Sequence, residues 1–152
     1  MTTTQGTITQ IVTGPACDPA QILRDARTIA VVGLSPKPDR PSQQVALYLQ
    51  GAGYEIIPVN PGHDRLLGLR CYPELSAVPG RVDIVAIFRN PKEVPAIVDS
   101  AIAIGAKVVW MQLGIVHQEA AAKARAAGLQ VVMDRCLMID HQYYCPGNGA
   151  RL

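Results

Sequence analysis

Short apolar segments alternate with amphipathic, helix-length segments along the chain, and this alternation restricts the fold more than any other sequence feature. The connections between the apolar segments are too long for hairpins, so the strands must pair in parallel through crossover helices. The predicted strands are Thr28–Val32, Tyr54–Val59, Val82–Phe88, Lys107–Met111 and Leu129–Met133. The sequence therefore predicts an α/β fold, a doubly wound parallel sheet of about five strands with helices on both faces.

Composition favours one domain with a buried core. The chain has 152 residues, of which 49% are apolar and 17% charged. Aromatic residues make up only 5%, and abundant Val, Ile, Leu and Ala suit strands buried on both faces. We expect a flexible lead-in or edge strand over residues 1–17, a single domain over 18–145 and a mobile tail over 146–152.

Charge and hydropathy exclude several classes of protein. Fourteen Lys and Arg against 12 Asp and Glu give a net charge of +2, without the basic surplus of a nucleic-acid-binding protein. No apolar segment approaches the roughly 20 residues of a membrane helix. The first ten residues lack the pattern of a signal peptide. A cytoplasmic location is expected, where the four cysteines remain thiols.

Candidate ligand-binding residues follow the predicted strands, because doubly wound sheets bind ligands outside the carboxyl ends of their strands. Small, amide, cationic and thiol side chains converge there. The five strand ends lead into Gly33-Leu34-Ser35, Asn60-Pro61, Phe88-Arg89-Asn90, Gln112-Leu113-Gly114 and Asp134-Arg135-Cys136.

The loop after the first strand has the character of a phosphate site. Gly33 permits close approach of the backbone, and Ser35, Lys37, Arg40 and Ser42 supply hydroxyls and cations before a helix start. The alternative is an ordinary loop with solvated Lys and Arg side chains. Neither GxxxxGK[ST] nor GxGxxG occurs. The two cations suit additional phosphate charge, as on a 3′-phosphorylated adenosine or NADP.

Several candidates also have ordinary structural explanations. Arg89 suits an ion pair at the sheet edge as well as a ligand. Asn60 suits a strand-ending turn, and Asp134 and Arg135 can pair with their surroundings. Asn90 is predicted to cap the next helix.

The cysteine after the last strand has three interpretations. Cys136 suits a small buried hydrophobic residue or a thiol facing a ligand. Cys136, His141 and Cys145 lack a standard four-ligand zinc spacing, so no metal site is predicted.

No arrangement of nucleophile, base and orienting acid is recognisable, so no catalytic residue is predicted.

Five segments together resemble a known family: IAVVGLSPKPDRPSQQV, GYEIIPVNP, VDIVAIFRNP, GAKVVWMQLGI and GLQVVMDRCLMIDH. They are similar to the small stand-alone CoA-binding proteins of bacteria and archaea, and to the CoA-binding domain of the succinyl-CoA synthetase alpha subunit. The resemblance covers roughly residues 18–142. It implies a Rossmann-like fold that binds coenzyme A or an acyl-CoA. The segment carrying the synthetase's phosphorylated histidine is missing, so synthetase chemistry is not implied.

The resemblance assigns CoA contacts to the strand ends. The candidate binding residues are Gly33, Leu34, Ser35, Lys37, Arg40, Pro41, Ser42, Asn60, Pro61, Phe88, Arg89, Asn90, Gln112, Leu113, Gly114, Asp134, Arg135 and Cys136.

We expect binding of CoA or an acyl-CoA without catalysis, by a carrier, a sensor or a partner of a CoA enzyme. The alternatives are a small NAD(P)- or acyl-CoA-dependent enzyme and a thiol protein forming a mixed disulfide with CoA through Cys136. No nucleic-acid or membrane partner is expected, and the chain is expected to be a monomer or homodimer.

Overall fold

The computed structural model describes residues 17–146. Residues 1–16 and 147–152 lie outside the described part. The lead-in expected over 1–17 and the tail expected over 146–152 therefore fall almost entirely outside the described residues.

Five parallel strands form the main sheet, which confirms the predicted fold. Along the chain these strands are β1 (Thr28–Val32), β2 (Glu55–Val59), β5 (Ile84–Ile87), β6 (Val108–Met111) and β7 (Gln130–Val132). Their spatial order is β2-β1-β5-β6-β7. From β1 the chain passes to β2 on one side and then crosses back to β5 on the other side of β1. The direction of the strand order therefore reverses there, and the switch point lies between β1 and β5.

Two helical layers cover the sheet. The helices are α1 (Pro19–Asp25), α2 (Pro41–Gly51), α3 (Val94–Ala103), α4 (Gln118–Ala126) and α5 (Leu137–Tyr144). One core cluster joins α1, α2 and α5 to one face, and a second joins α3 and α4 to the other. Neighbouring residues of a strand enter different clusters: Val31 packs in the first and Val32 in the second. This follows from the two-residue period of a strand.

A small hairpin lies beside the main sheet. Its antiparallel strands are β3 (Arg65–Leu66) and β4 (Leu69–Arg70). Tyr72 continues from it and forms a parallel bridge with Val59. The hairpin extends the edge of the sheet next to β2.

Helix α5 was not predicted. Its buried positions are Leu137, Asp140 and His141, of which only one is apolar. A helix that buries polar side chains lacks the apolar stripe that reveals an amphipathic helix in a sequence. The partners that satisfy these groups explain its formation: Arg135 pairs with Asp140, and Tyr48 is hydrogen-bonded to His141.

Asp83 connects the amino-terminal ends of neighbouring strands, at the edge of the sheet away from the candidate site. This buried carboxylate accepts hydrogen bonds from the backbone N–H groups of Arg27 and Thr28 at 2.7 and 3.1 Å. The Thr28 hydroxyl donates a third bond. One buried charge thus reinforces the parallel pairing of β1 and β5. Within residues 17–146, no helix is long and apolar enough to cross a membrane.

Candidate functional site

Gly33 lies at the switch point, where the loops after β1 and β5 meet. Its φ angle is +93°, which favours glycine over other residues. A Cβ atom at this position would lie 2.8 Å from the Phe88 carbonyl oxygen and 2.8 Å from Arg89 Cδ. In the structure, the group that closely approaches the Gly33 backbone is the loop after β5, with Phe88 and Arg89.

The loop after Gly33 is fastened to the start of α2 by hydrogen bonds. Ser42 Oγ accepts from the Ser35 N–H at 2.9 Å, and Gln43 Nε2 donates to the Ser35 carbonyl at 3.0 Å. Ser35 Oγ accepts from the Lys37 N–H at 3.1 Å. Leu34 is fully buried in the core. The serine hydroxyls predicted as ligand contacts thus also fix the shape of the loop.

Arg40 stands at the N-cap position of α2, followed by Pro41 at the first helical position. Its side chain is exposed and forms no ion pair with any residue in 17–146. Lys37 is likewise exposed and unpaired over this range. Among residues 17–146, no side chain caps the amino end of α2. A helix amino terminus with adjacent cations favours anions.

A cavity of about 410 Å³ opens between these loops, within the range of small-molecule sites. Nine of the candidate residues line it together with two that were not predicted, Val45 and Ile115. The lining residues are Gly33, Ser35, Arg40, Pro41, Ser42, Val45, Phe88, Gln112, Leu113, Ile115 and Cys136.

Gln112 brings a buried amide to this cavity. The residue is only 3% exposed, and its Oε1 accepts from the Leu137 N–H at 3.4 Å. Among the described residues, Gln112 Nε2 has no hydrogen-bond partner although it is buried. An unsatisfied buried donor is costly, so an acceptor from outside residues 17–146 would stabilise it.

Asn60, Pro61 and Arg89 lie on the other side of Gly33. Pro61 and Arg89 line a second cavity of about 250 Å³, which also includes Gly33. Arg89 forms an ion pair with Glu93 at 2.6 Å. The Asn60 amide donates to the Leu34 carbonyl at 2.9 Å and accepts from the Gly62 N–H at 2.8 Å. Asn60 therefore ties the ends of β1 and β2 together.

Asn90 does not cap the following helix as predicted. Its side chain forms no capping hydrogen bond, and a 3₁₀ turn over Pro91–Glu93 precedes α3. Glu93, which would complete a capping box, pairs with Arg89 instead. The exposed Asn90 lines neither of the two cavities at this edge.

Asp134 and Arg135 are held by protein groups. Asp134 has a φ of +59° and accepts from the Gly114 N–H at 2.6 Å. Arg135 donates two hydrogen bonds to the buried Asp140 carboxylate, at 2.6 and 3.0 Å. Hydrogen bonding to Asp140 and the negative charge of Asp140 raise the pKa of Arg135. These side chains shape the loop after β7 and are absent from the cavity lining.

Cys136 is the half-buried N-cap residue of α5 and lines the larger cavity. Within the described residues, no group of three His, Cys, Asp or Glu side chains is placed to hold a metal ion. Cys136 was predicted as a site residue because it follows a strand end. For Ile115, the sequence showed no feature of a site residue except its place after Gly114. Val45 on α2 packs in the core and also lines the cavity.

Comparison with known proteins identifies relatives of similar length. Uncharacterized protein YneT of Bacillus subtilis (strain 168) is 41% identical over 121 residues, which cover 80% of this chain and 90% of YneT. The solved structure of a hypothetical protein from Pyrococcus horikoshii OT3 is 42% identical, with a TM-score of 0.81. That match covers 84% of this chain and 89% of the other. The matches therefore extend over most of this chain and most of each relative.

A longer enzyme carries a related segment. Acetate–CoA ligase [ADP-forming] II of Archaeoglobus fulgidus is 34% identical over 73 residues, which are 47% of this chain and 11% of the ligase. The family described as CoA binding domain matches residues 27–142, which include every candidate residue at the strand ends. The chain therefore belongs to the CoA binding domain family.

Proposed function

We propose that this protein binds coenzyme A, as the free thiol or an acyl thioester, in the cavity at the carboxyl ends of the strands, without catalysing a reaction. One observation carries the proposal. A single cavity is lined by Arg40, an unpaired cation at a helix start, and by Gln112, whose buried Nε2 has no hydrogen-bond partner within the described residues. CoA has phosphates at one end and a narrow arm with amide groups and a thiol at the other, so both features have a counterpart in it.

The phosphates are assigned to the loop between Ser35 and Ser42. Its hydrogen bonds hold the backbone in place before a ligand arrives, which lowers the entropic cost of binding. Arg40 and Lys37 add positive charge beside the uncapped start of α2. The adenosine end is assigned to the second cavity across Gly33, between Pro61 and Arg89.

The pantetheine arm is assigned to the apolar part of the larger cavity. Val45, Phe88 and Ile115 line this part. Gln112 Nε2 would then donate to a carbonyl of the arm, which removes the cost of its burial without a partner. No carboxylate or imidazole of the described residues lines this cavity, which supports binding without acid–base chemistry on a bound thioester.

Thermal unfolding with CoA, acetyl-CoA, NAD and NADP, under reducing conditions, tests the proposal. A ligand at 100 times its dissociation constant adds about 2.7 kcal/mol to the free energy of unfolding. We expect CoA and acetyl-CoA to raise the melting temperature and NAD and NADP to leave it unchanged. Stabilisation by NADP alone would overturn the assignment. Release of CoA from acetyl-CoA would overturn the absence of catalysis.

Arg40→Ala is expected to weaken CoA binding. A hydrogen bond to a charged group contributes about 1.5–3 kcal/mol, so the dissociation constant should rise roughly 10- to 150-fold. Titration calorimetry measures the change directly. Arg24→Ala is the matched control, because Arg24 is also exposed but does not line the cavity. Equal affinities of the two variants would remove Arg40 from the site.

A further inference from the structure

A thiol lines the cavity assigned to CoA. Cys136 stands at the N-cap position of α5 without a capping hydrogen bond from its side chain, is half-buried and lines the same cavity as Arg40 and Phe88. A half-buried thiol in a ligand cavity can meet the reactive end of a ligand while it remains shielded from bulk solvent. Position alone does not distinguish such a thiol from a small hydrophobic residue.

Gln112 supplies the second observation. Its Oε1 accepts a hydrogen bond from the N–H of Leu137 at 3.4 Å, so its amide lies beside the residue that follows Cys136. Its Nε2 is buried and has no acceptor among residues 17–146. A ligand carbonyl that satisfies this amide would therefore lie close to the Cys136 thiol. In the pantetheine arm an amide carbonyl precedes the terminal thiol by a short methylene chain.

The other cysteines are less suited to this role. Burial raises the pKa of the Cys71 thiol, which disfavours the reactive thiolate. Cys17 is exposed and does not line the cavity. Cys71 is 5% exposed and donates to the Asn60 carbonyl at 3.5 Å. Cys145, at the other end of α5, is half-buried but does not line the cavity. Among the described cysteines, only Cys136 lines this cavity.

We propose that Cys136 is a thiol–disulfide exchange site for CoA disulfide. The Cys136 thiolate attacks one sulfur of the CoA–S–S–CoA bond. That bond breaks, a Cys136–S–S–CoA bond forms, and the second CoA leaves as a thiolate that takes up a proton from water. The sulfur oxidation states balance without a further oxidant, and a thiol reductant reverses the step. The inference rests on the proposed function, since the bound nucleotide positions the disulfide.

Intact-mass kinetics test this exchange. The protein is treated at mildly alkaline pH with CoA disulfide or with pantethine, the disulfide of the same arm without the nucleotide. We expect one CoA adduct per chain, forming about tenfold faster or more than the pantethine adduct, because binding orients the reacting sulfurs. Arg40→Ala should reduce the rate with CoA disulfide toward that with pantethine. Peptide mapping of the wild-type adduct identifies the modified cysteine.

Cys136→Ser and Cys145→Ser form a matched pair, because both thiols are half-buried at opposite ends of α5. The Cys145→Ser protein should form the adduct at the wild-type rate, and the Cys136→Ser protein should not form it. Mapping of the adduct to another cysteine, or equal rates with both disulfides, overturns the exchange site. If one of these two results is obtained but reduced CoA still binds, the proposed function stands and only the exchange fails. If reduced CoA does not bind, the proposed function fails first.

Discussion

Gly33→Ala is expected to destabilise the protein by about 2–5 kcal/mol and to abolish measurable CoA binding. A non-glycine residue at a φ of +93° costs about 1–2 kcal/mol in backbone strain. The new Cβ would also lie 2.8 Å from the Phe88 carbonyl oxygen, and such overpacking typically costs about 1–3 kcal/mol. The Phe88 carbonyl directly follows β5 and cannot move without moving the sheet. The loop after β1 must therefore move away from the loop after β5, which opens the site between them.

Gly128→Ala separates the two contributions. Gly128 has a φ of +96°, and a Cβ atom there would meet nothing within 4 Å. Only the backbone strain applies, so we expect a loss of about 1–2 kcal/mol and unchanged CoA affinity. Urea unfolding of the two variants measures the difference. Equal destabilisation would show that the contact with Phe88 imposes no strain.

Asp83→Ala is expected to lower the free energy of unfolding by about 2–5 kcal/mol, since two backbone N–H groups lose their acceptor and each unsatisfied buried group costs about 1–3 kcal/mol. These are the N–H groups of Arg27 and Thr28, bound at 2.7 and 3.1 Å. The exposed Arg81 partner, 3.3 Å away, contributes little because solvent screens it. Asp99→Asn is the control, since the Asp99–Lys123 ion pair is solvent-exposed and should contribute at most about 1 kcal/mol.

The same carboxylate predicts how stability depends on pH. Burial raises the pKa of Asp83, but the hydrogen bonds from Arg27 and Thr28 and the charge of Arg81 outweigh it, and the pKa is lowered. An unfolded Asp has a pKa of about 3.9. The stabilisation from Asp83 is therefore fully present above that value and is lost as the pH falls through the lower folded-state pKa.

Asp83→Asn isolates this charge, because asparagine keeps an acceptor but cannot ionise. We expect the difference in unfolding free energy between wild type and Asp83→Asn to be constant from about pH 7 to 5 and to shrink below about pH 4. Urea titrations at each pH measure it. A difference that grows as the pH falls would contradict the lowered pKa.

Local sequence patterns predicted the central sheet well because its strands are buried on both faces. The segment Thr28–Val32 is a strand at the predicted bounds, and Val108–Met111 begins one residue later than predicted. A continuous apolar run ended by glycine, asparagine or glutamine carries this information locally. The start of α1 is also marked locally, since Asp18 precedes Pro19 and its side chain accepts from the Ala20 N–H.

Helix α5 shows where such patterns fail. Asp140 and His141 are buried polar residues, and their burial depends on Arg135 and Tyr48. Tyr48 lies on α2, 93 residues earlier in the chain than His141. A periodic apolar stripe is readable from sequence, whereas a buried polar helix face becomes favourable only when distant partners are in place.

The sequence by itself determined which residues reach the carboxyl edge of the sheet, because strand ends are marked by local changes in polarity and by glycine. Only the tertiary structure decided how those residues are used. Asn60 and Arg135 bind protein partners, while Arg40 forms no ion pair and Gln112 Nε2 no hydrogen bond within the described residues. The physical reason is that hydrogen bonds and ion pairs form across elements brought together by the strand order β2-β1-β5-β6-β7. No local pattern in the chain encodes that order.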